Sequence, residues 1–275
     1  MTSLLSWVSY TSTGKDRTTP TALYIVSDSR ITWGSSARHW DAGRKVFSCR
    51  LEAHIFGYCG DVVFPSLVLA QITSAIDSGI LFPDGAAAEK KHAIIFESIQ
   101  RSFERRHNAP GENFSIIHAL RIGEDDSGQY FVWQISYNVR TKVWESEGLA
   151  IPPKTGVIAI LGSGGKSVKE HVRRWSQSDV GARSSAIFSA FCDALFSEED
   201  PHTGGAPQIA ALHRGSHGQI IGFVHDGVHY LHGLQIGPAK VLHRLRWRDR
   251  HFQAINPTTL KRAAGTRRFE RPKGL

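Results

Sequence analysis

Apolar residues along this chain fall into two kinds of run, short strand-like stretches and longer stretches of helical spacing, and each kind comes in groups. "LLSWVSY" (4–10) and "TALYIVSD" (21–28) read as strands on either side of a polar, turn-rich connector at 11–20. "RKVFSCR" and "AHIFGYCGD" read as two more strands with a tight link. Apolar positions then recur at helical spacing through "FPSLVLAQITSAI" and "GAAAEKKHAIIFESIQRSFERR", and strand character returns in "NFSIIHALRI", "GQYFVWQISYN" and "GVIAILG". A second helical pair, "SVKEHVRRWSQ" and "ARSSAIFSAFCDALF", precedes the strands "PQIAALHR" and "GQIIGFVHDGVHYLHGL", where Asp226-Gly227 signals a hairpin. Strands, two helices, strands, two helices, strands is an α+β order. It suits two stacked antiparallel sheets between two helical layers better than an alternating βαβ wind.

Composition places the chain among ordinary globular proteins, with 275 residues of which 41% are hydrophobic and 21% charged. No apolar run approaches the ~18 residues of a membrane helix, so no spanning segment is expected. The start, "MTSLLSWVSYTSTGK", lacks the basic and small-residue features of a signal peptide. Cys49, Cys59 and Cys192 contain no C-x-x-C pair and suggest reduced thiols in a cytoplasmic protein.

The net charge of +8 is unevenly placed. From Ala239 onward eleven Lys/Arg face two acidic residues, whereas the rest of the chain carries 22 basic and 23 acidic groups. The expected division is therefore a neutral domain over 1–238 and a basic extension over 239–275. "RLRWRDRHF" interleaves aromatics with arginine as single-strand binders do, but it also alternates like an edge strand, and the residues after Asn256-Pro257 read as a poorly ordered terminus. The plainer reading is an edge that packs on the body or a neighbouring subunit through Leu242, Leu245, Trp247 and Phe252, with its arginines facing water or an acidic rim; nucleic acid or an acidic partner surface is the alternative.

Two apparent ligand sites fail on inspection. "ILGSGGKSVKEH" (160–171) looks like a phosphate-binding loop, but with Lys166 as its lysine the required first glycine falls on Ile160. His225, His229 and His232 look like a metal cluster, but along a hairpin only the first two could share a face. No metal and no cofactor is expected.

Several residues recur in an order that resembles the N-terminal nucleophile (Ntn) hydrolases of the proteasome β, HslV and Anbu groups. Asp28-Ser29-Arg30 stands at the strand end, Lys45 on the next strand, and Gly57-Tyr58-Cys59-Gly60-Asp61 at a G-x-x-G-D turn. Gly162-Ser163-Gly164 resembles the family's G-S-G strand-to-helix turn, and Asp200 to Gly205 its D-x-x-S-G-G segment, with Thr203 for serine. The resemblance spans most of residues 2–225. It implies a four-layer αββα sandwich, with the 160–171 loop supporting a hydrolytic site.

The resemblance further implies a threonine nucleophile at the start of the first strand, which is Thr2 once Met1 is removed. A hydroxyl needs a base, and a free α-amino group, with a pKa of roughly 7.7–8, can serve. Lys45, held by Asp28, would place positive charge beside the hydroxyl, and the Gly57 N–H would stand at the oxyanion position. Ser163, Asp200 and Thr203 would form the polar set around the amine. Ile31, Gly43, Phe47, Ile55, Cys59 and Val63 would line an apolar first substrate pocket. The activity implied is a threonine-type peptidase, self-assembled into rings or helical stacks and served by a separate ATP-driven unfoldase. A non-catalytic structural subunit and an amidase of small non-peptide amides stand beside that reading.

Overall fold

The computed structural model describes residues 2–11, 19–107, 111–123, 128–237, 242–266 and 268–275. Met1, most of the 11–20 connector and the expected boundary at 238/239 lie outside the described residues. The first part of the chain forms β1 (Leu4–Tyr10), β2 (Pro20–Ser27), β3 (Ile31–Trp33), β4 (Ser35–Trp40), β5 (Val46–Ser48) and β6 (His54–Gly60). Helices α1 (Val63–Asp77) and α2 (Ala88–Glu104) follow, then β7 (Phe114–Ile122), β8 (Gln129–Asn138), β9 (Val143–Gly148) and β10 (Gly156–Leu161). The last part comprises α3 (Gly165–Ser176), α4 (Ser184–Phe196), β11 (Gln208–His213), β12 (Gly218–His225), β13 (Val228–Leu231), β14 (Leu234–Ile236) and β15 (Trp247–Arg248). The fold is mixed, with four α-helices and three sheets among the described residues.

One sheet runs β10-β1-β2-β11-β12-β13-β14, with β15 beside β12, and another runs β5-β6-β7-β8-β9. The period-2 alternation along each strand gives both sheets two apolar faces. Leu4, Leu23, Ile25, Ala210 and Leu212 of the larger sheet meet Val46, Ile55, Cys59, Ile117 and Val132 of the smaller in one buried cluster. The opposite face of the larger sheet, with Leu5, Trp7, Val26 and Phe223, takes Val168 of α3 and Ile187, Phe188 and Phe191 of α4. The opposite face of the smaller sheet, with Phe56, Tyr58 and Ile116, takes Val68, Leu69 and Ile72 of α1 and Ile95 and Ile99 of α2. In α2 the buried Ala88, His92, Ile95 and Ile99 follow the three-to-four spacing that puts them on one stripe.

The Asp226-Gly227 step has positive φ at both residues, 47° and 78°, as a type I′ hairpin turn requires. Not foreseen were the two-stranded β3–β4 hairpin between Arg30 and Asp41, and β9, whose "VWESEG" is largely exposed.

The described part of the basic tail lies on the body. Trp247 is 2% exposed, pairs in parallel with Gly222 of β12, and covers the space a side chain at Gly222 would need. Phe252 sets its ring edge-on to Trp7 and Tyr24, with centroids 5.7 and 5.2 Å away. The end expected to be poorly ordered is tied by Arg271, whose Nη1 and Nη2 donate to the two carboxylate oxygens of Asp193 at 2.9 and 2.8 Å. Apolar contact and a bidentate ion pair together supply what composition alone left out. Among the described residues no helix is long and apolar enough to cross a membrane.

Candidate active site

The glycine-rich turn between β10 and α3 closes around the start of β1. Gly162 has φ +88°, and a Cβ there would overlap the Thr2 carbonyl, so this position excludes other residues on two counts. The Gly164 N–H donates to the Thr2 carbonyl at 3.3 Å. Thr2 itself is 1% exposed, and its N–H donates to Ser163 Oγ at 3.2 Å. Ser163 Oγ in turn donates to Asp200 Oδ2 at 3.3 Å, which makes a directed relay from the Thr2 nitrogen to a carboxylate. Thr203 joins from the other side. Its hydroxyl donates to the Asp200 carbonyl at 3.2 Å, and its methyl faces Gly164, 2.8 Å from where a Cβ would stand.

Asp28 follows β2 directly beside this turn. Its carboxylate accepts the Ser3 N–H on Oδ1 at 3.0 Å, and the Arg30 and Gly204 N–H groups on Oδ2 at 3.1 and 3.2 Å. Lys45 Nζ donates to Asp28 Oδ1 at 2.9 Å and to the Arg30 carbonyl at 2.5 Å. Both side chains are fully buried. Burial pushes the Lys45 ammonium below its ordinary pKa, and the Asp28 charge and hydrogen bond oppose that shift. Ser29 and Arg30 complete the corner. Ser29 Oγ lies 2.8 Å from the Ala206 carbonyl, and Arg30 grips Asp41 with Nε and Nη2 at 2.7 and 2.9 Å.

Of the residues expected at the site, Thr2, Asp28, Lys45, Ser163, Asp200 and Thr203 are thus brought together. Gly57 is placed differently. Leu4 and Ile25 of the facing sheet fill the space a Gly57 side chain would take, at 2.7 and 2.6 Å from the Cβ position. The Tyr58 N–H donates to the Lys45 carbonyl on the β5 side, so by the alternation of an antiparallel strand the Gly57 N–H faces β7. Gly57 therefore serves close packing between the sheets. The N–H that faces the β5 side beyond the end of that strand is Gly60, which has φ +96°. A Cβ on Gly60 would run into the Asn113 carbonyl. Two glycines three apart in one strand look alike in sequence, and only the pairing tells which N–H faces β5 and which faces β7.

The six expected pocket residues do not all share one face. Ile31 lies against Gly43, and Cys59 lies under Gly162, 3.4 Å from its Cβ position. Phe47 belongs to the cluster facing α1 and α2, whereas Ile55 and Cys59 face the other sheet. Val63 opens α1 and is 66% exposed. Burial raises the Cys59 thiol to about 11, so it is no thiolate at neutral pH.

Gln208, at the start of β11, was not singled out by the sequence. It is 1% exposed and bonds to three backbone groups of the Asp28/Lys45 corner. A glutamine beginning an otherwise apolar strand is the one local sign of it.

No protein-family model matches the chain, and no curated protein matches it. Among solved structures the chain is similar to a Gly-1 mutant of Anbu from Hyphomicrobium sp. strain MC1, with a TM-score of 0.51 and 11% sequence identity. The match covers 80% of this chain and 84% of that one. At that identity the likeness is one of fold.

Proposed function

We propose that the chain is an amide hydrolase of the Ntn type, with a four-layer αββα sandwich and Thr2 as nucleophile after loss of Met1. The three apolar clusters, one between the sheets and one under each helix pair, support the layering. The observation that carries the function is the relay from the Thr2 nitrogen through Ser163 to Asp200, set beside a fully buried Asp28/Lys45 pair. With Met1 removed, the nitrogen in that relay becomes an amine able to take the threonine proton. The hydroxyl oxygen then attacks the substrate carbonyl, the amine passes the proton to the leaving nitrogen, and water hydrolyses the resulting ester by the same route. Lys45 favours the developing charge on the threonine oxygen, and the Gly60 N–H, not that of Gly57, serves the oxyanion.

Peptide bonds are the favoured substrate class, as in the groups the sequence resembles. The scatter of the six pocket residues favours a second reading, hydrolysis of an amide with a small acyl group. In the primary reading residues 1–238 are the hydrolase domain and 239–275 a basic extension. The protein works in the cytoplasm as a self-assembled ring or stack, and any unfolding is done by a separate ATP-driven protein.

The test is chemical. A chain shown by intact mass to begin at Thr2 should gain one equivalent of a peptide β-lactone or epoxyketone, lose that reaction in Thr2→Ala, and keep part of it in Thr2→Ser. Equal hydrolysis by the native chain and Thr2→Ala would remove the proposal.

A further inference from the structure

The ends of two sheets meet at the Asp28/Lys45 corner, where the Gly43 N–H donates to the Ser29 carbonyl at 2.9 Å. Lys45 precedes β5 of the smaller sheet, while Asp28 follows β2 of the larger. The side-chain amide of Gln208, from β11 beside β2, spans the gap. Its Oε1 accepts the Lys45 N–H at 2.9 Å, and its Nε2 donates to the carbonyls of Gly43 at 2.7 Å and Asp28 at 3.1 Å. Both Nε2 hydrogens are thereby used, one on each sheet. The group is buried, so leaving any of these partners unpaired is costly. No hydrocarbon of the same shape could hold these three backbone groups.

We propose that Gln208 is a positioning residue for the hydrolytic site, fixing Lys45 against Asp28 by clamping the backbones of both. The inference rests on the reading of Lys45 and Thr2 given above. Gln208 touches no reacting atom. It acts through the backbone on either side of the Lys45 side chain, and misplacing that side chain by about an ångström costs on the order of a hundredfold in rate. The charged groups about the Thr2 nitrogen are Asp28 and Asp200, which favour an ammonium there, and Lys45, which opposes it, so a displaced Lys45 moves the acid limb of the rate profile to higher pH.

Gln208→Met preserves volume and removes all three hydrogen bonds. Ile221→Ala, in the cluster on the other face of the same sheet, supplies a variant of reduced stability with the corner intact. Two readouts are taken on chains beginning at Thr2. The first is the rate of β-lactone acylation from pH 6 to 9. The second is reductive methylation of Lys45 in the folded protein, followed by peptide mass spectrometry, which needs no catalysis. Gln208→Met should acylate at least about tenfold more slowly, with its half-maximal rate at higher pH, and Lys45 should be methylated several-fold faster than in the native chain or Ile221→Ala. Lys45 labelling equal to that of Ile221→Ala overturns the positioning role. If the native chain is not acylated at all, the Thr2 reading fails, while Lys45 labelling still decides the role of Gln208.

Discussion

Lys45 Nζ and Asp28 Oδ1 are 2.9 Å apart with neither side chain exposed, yet the two are not equally supported. Asp28 also holds three backbone N–H groups, from Ser3, Arg30 and Gly204, whereas the Lys45 ammonium has besides Asp28 only the Arg30 carbonyl among the described residues. Removing Asp28 leaves a buried ammonium and three orphaned donors. Removing Lys45 leaves a carboxylate that still has its donors. Asp28→Ala should therefore lose about 3–5 kcal/mol and Lys45→Met distinctly less. Urea unfolding of both variants at pH 7 checks the order, and a Lys45→Met loss equal to or above that of Asp28→Ala contradicts it.

The two glycines of β6 should separate stability from chemistry. In Gly57→Ala the new methyl meets Leu4 and Ile25, so stability should fall by about 1–3 kcal/mol, with acylation per folded molecule little changed. In Gly60→Ala the methyl strains the turn at φ +96° and meets the Asn113 carbonyl, and if its N–H serves the oxyanion as proposed, acylation should fall by about 10²–10³. The reverse pattern would return the oxyanion role to Gly57.

Much of this site was legible because its residues sit at strand ends and turns, where local sequence constrains the backbone. Asp28-Ser29-Arg30, Lys45, Gly162-Ser163-Gly164 and Asp200 announce themselves by type and order. The residues that were misplaced depend on which face of a strand they occupy. Phe47 and Ile55 lie on opposite faces of one sheet, and the alternation that separates them is fixed by pairing, not by the residues themselves. Gln208 was missed because its three partners come from segments more than 160 residues away in the chain. Trp247 was legible as an apolar anchor of the tail, but nothing local reveals that Gly222 is where its indole finds room.

A chain of imidazoles behind the smaller sheet makes the fold sensitive to acid. His54 Nδ1 lies 3.0 Å from His118 Nε2, His118 Nδ1 lies 2.9 Å from His92 Nδ1, and His92 Nε2 lies 2.8 Å from Ser146 Oγ. Neutral rings, each donating once and accepting once, satisfy this chain in a single direction. Burial lowers His54 to about 3 and His92 to about 4, and burial with the neighbouring histidines lowers His118 well below its ordinary value. Since these values lie below the unfolded value of about 6.5, the unfolded state binds more protons in acid. Stability should be full above pH 6.5 and fall as pH drops toward 4, each histidine adding a slope of about 1.4 kcal/mol per pH unit. His54→Phe, which keeps a ring against Phe56 and Phe82, should flatten the profile by one such increment. A native stability unchanged from pH 7 to 5 would contradict the assignment.

The tail gives the last expectation, because its charge and its packing point to different experiments. Trp247 is buried on β12 and donates from Nε1 to the Leu242 carbonyl, and Phe252 packs on Trp7, Tyr24 and Phe188. Three arginines that sequence alone offers to a polyanion are already engaged. Arg248 lies over Phe252, and Arg250 and Arg271 both reach Asp193, which also takes the Trp175 indole N–H at 2.8 Å. Ending the chain before Leu242 should thus destabilise the body by uncovering Trp7, Tyr24 and Phe223, and Trp247→Ala alone should lose about 3–5 kcal/mol. Arg271→Glu should act more locally, releasing the last residues to limited proteolysis while the urea midpoint moves less than in Trp247→Ala, since Asp193 keeps Arg250 and the Trp175 N–H as partners and no buried ring is lost. A truncated chain with an unchanged urea midpoint and a salt-sensitive loss of single-stranded nucleic-acid binding would instead make the tail a polyanion arm.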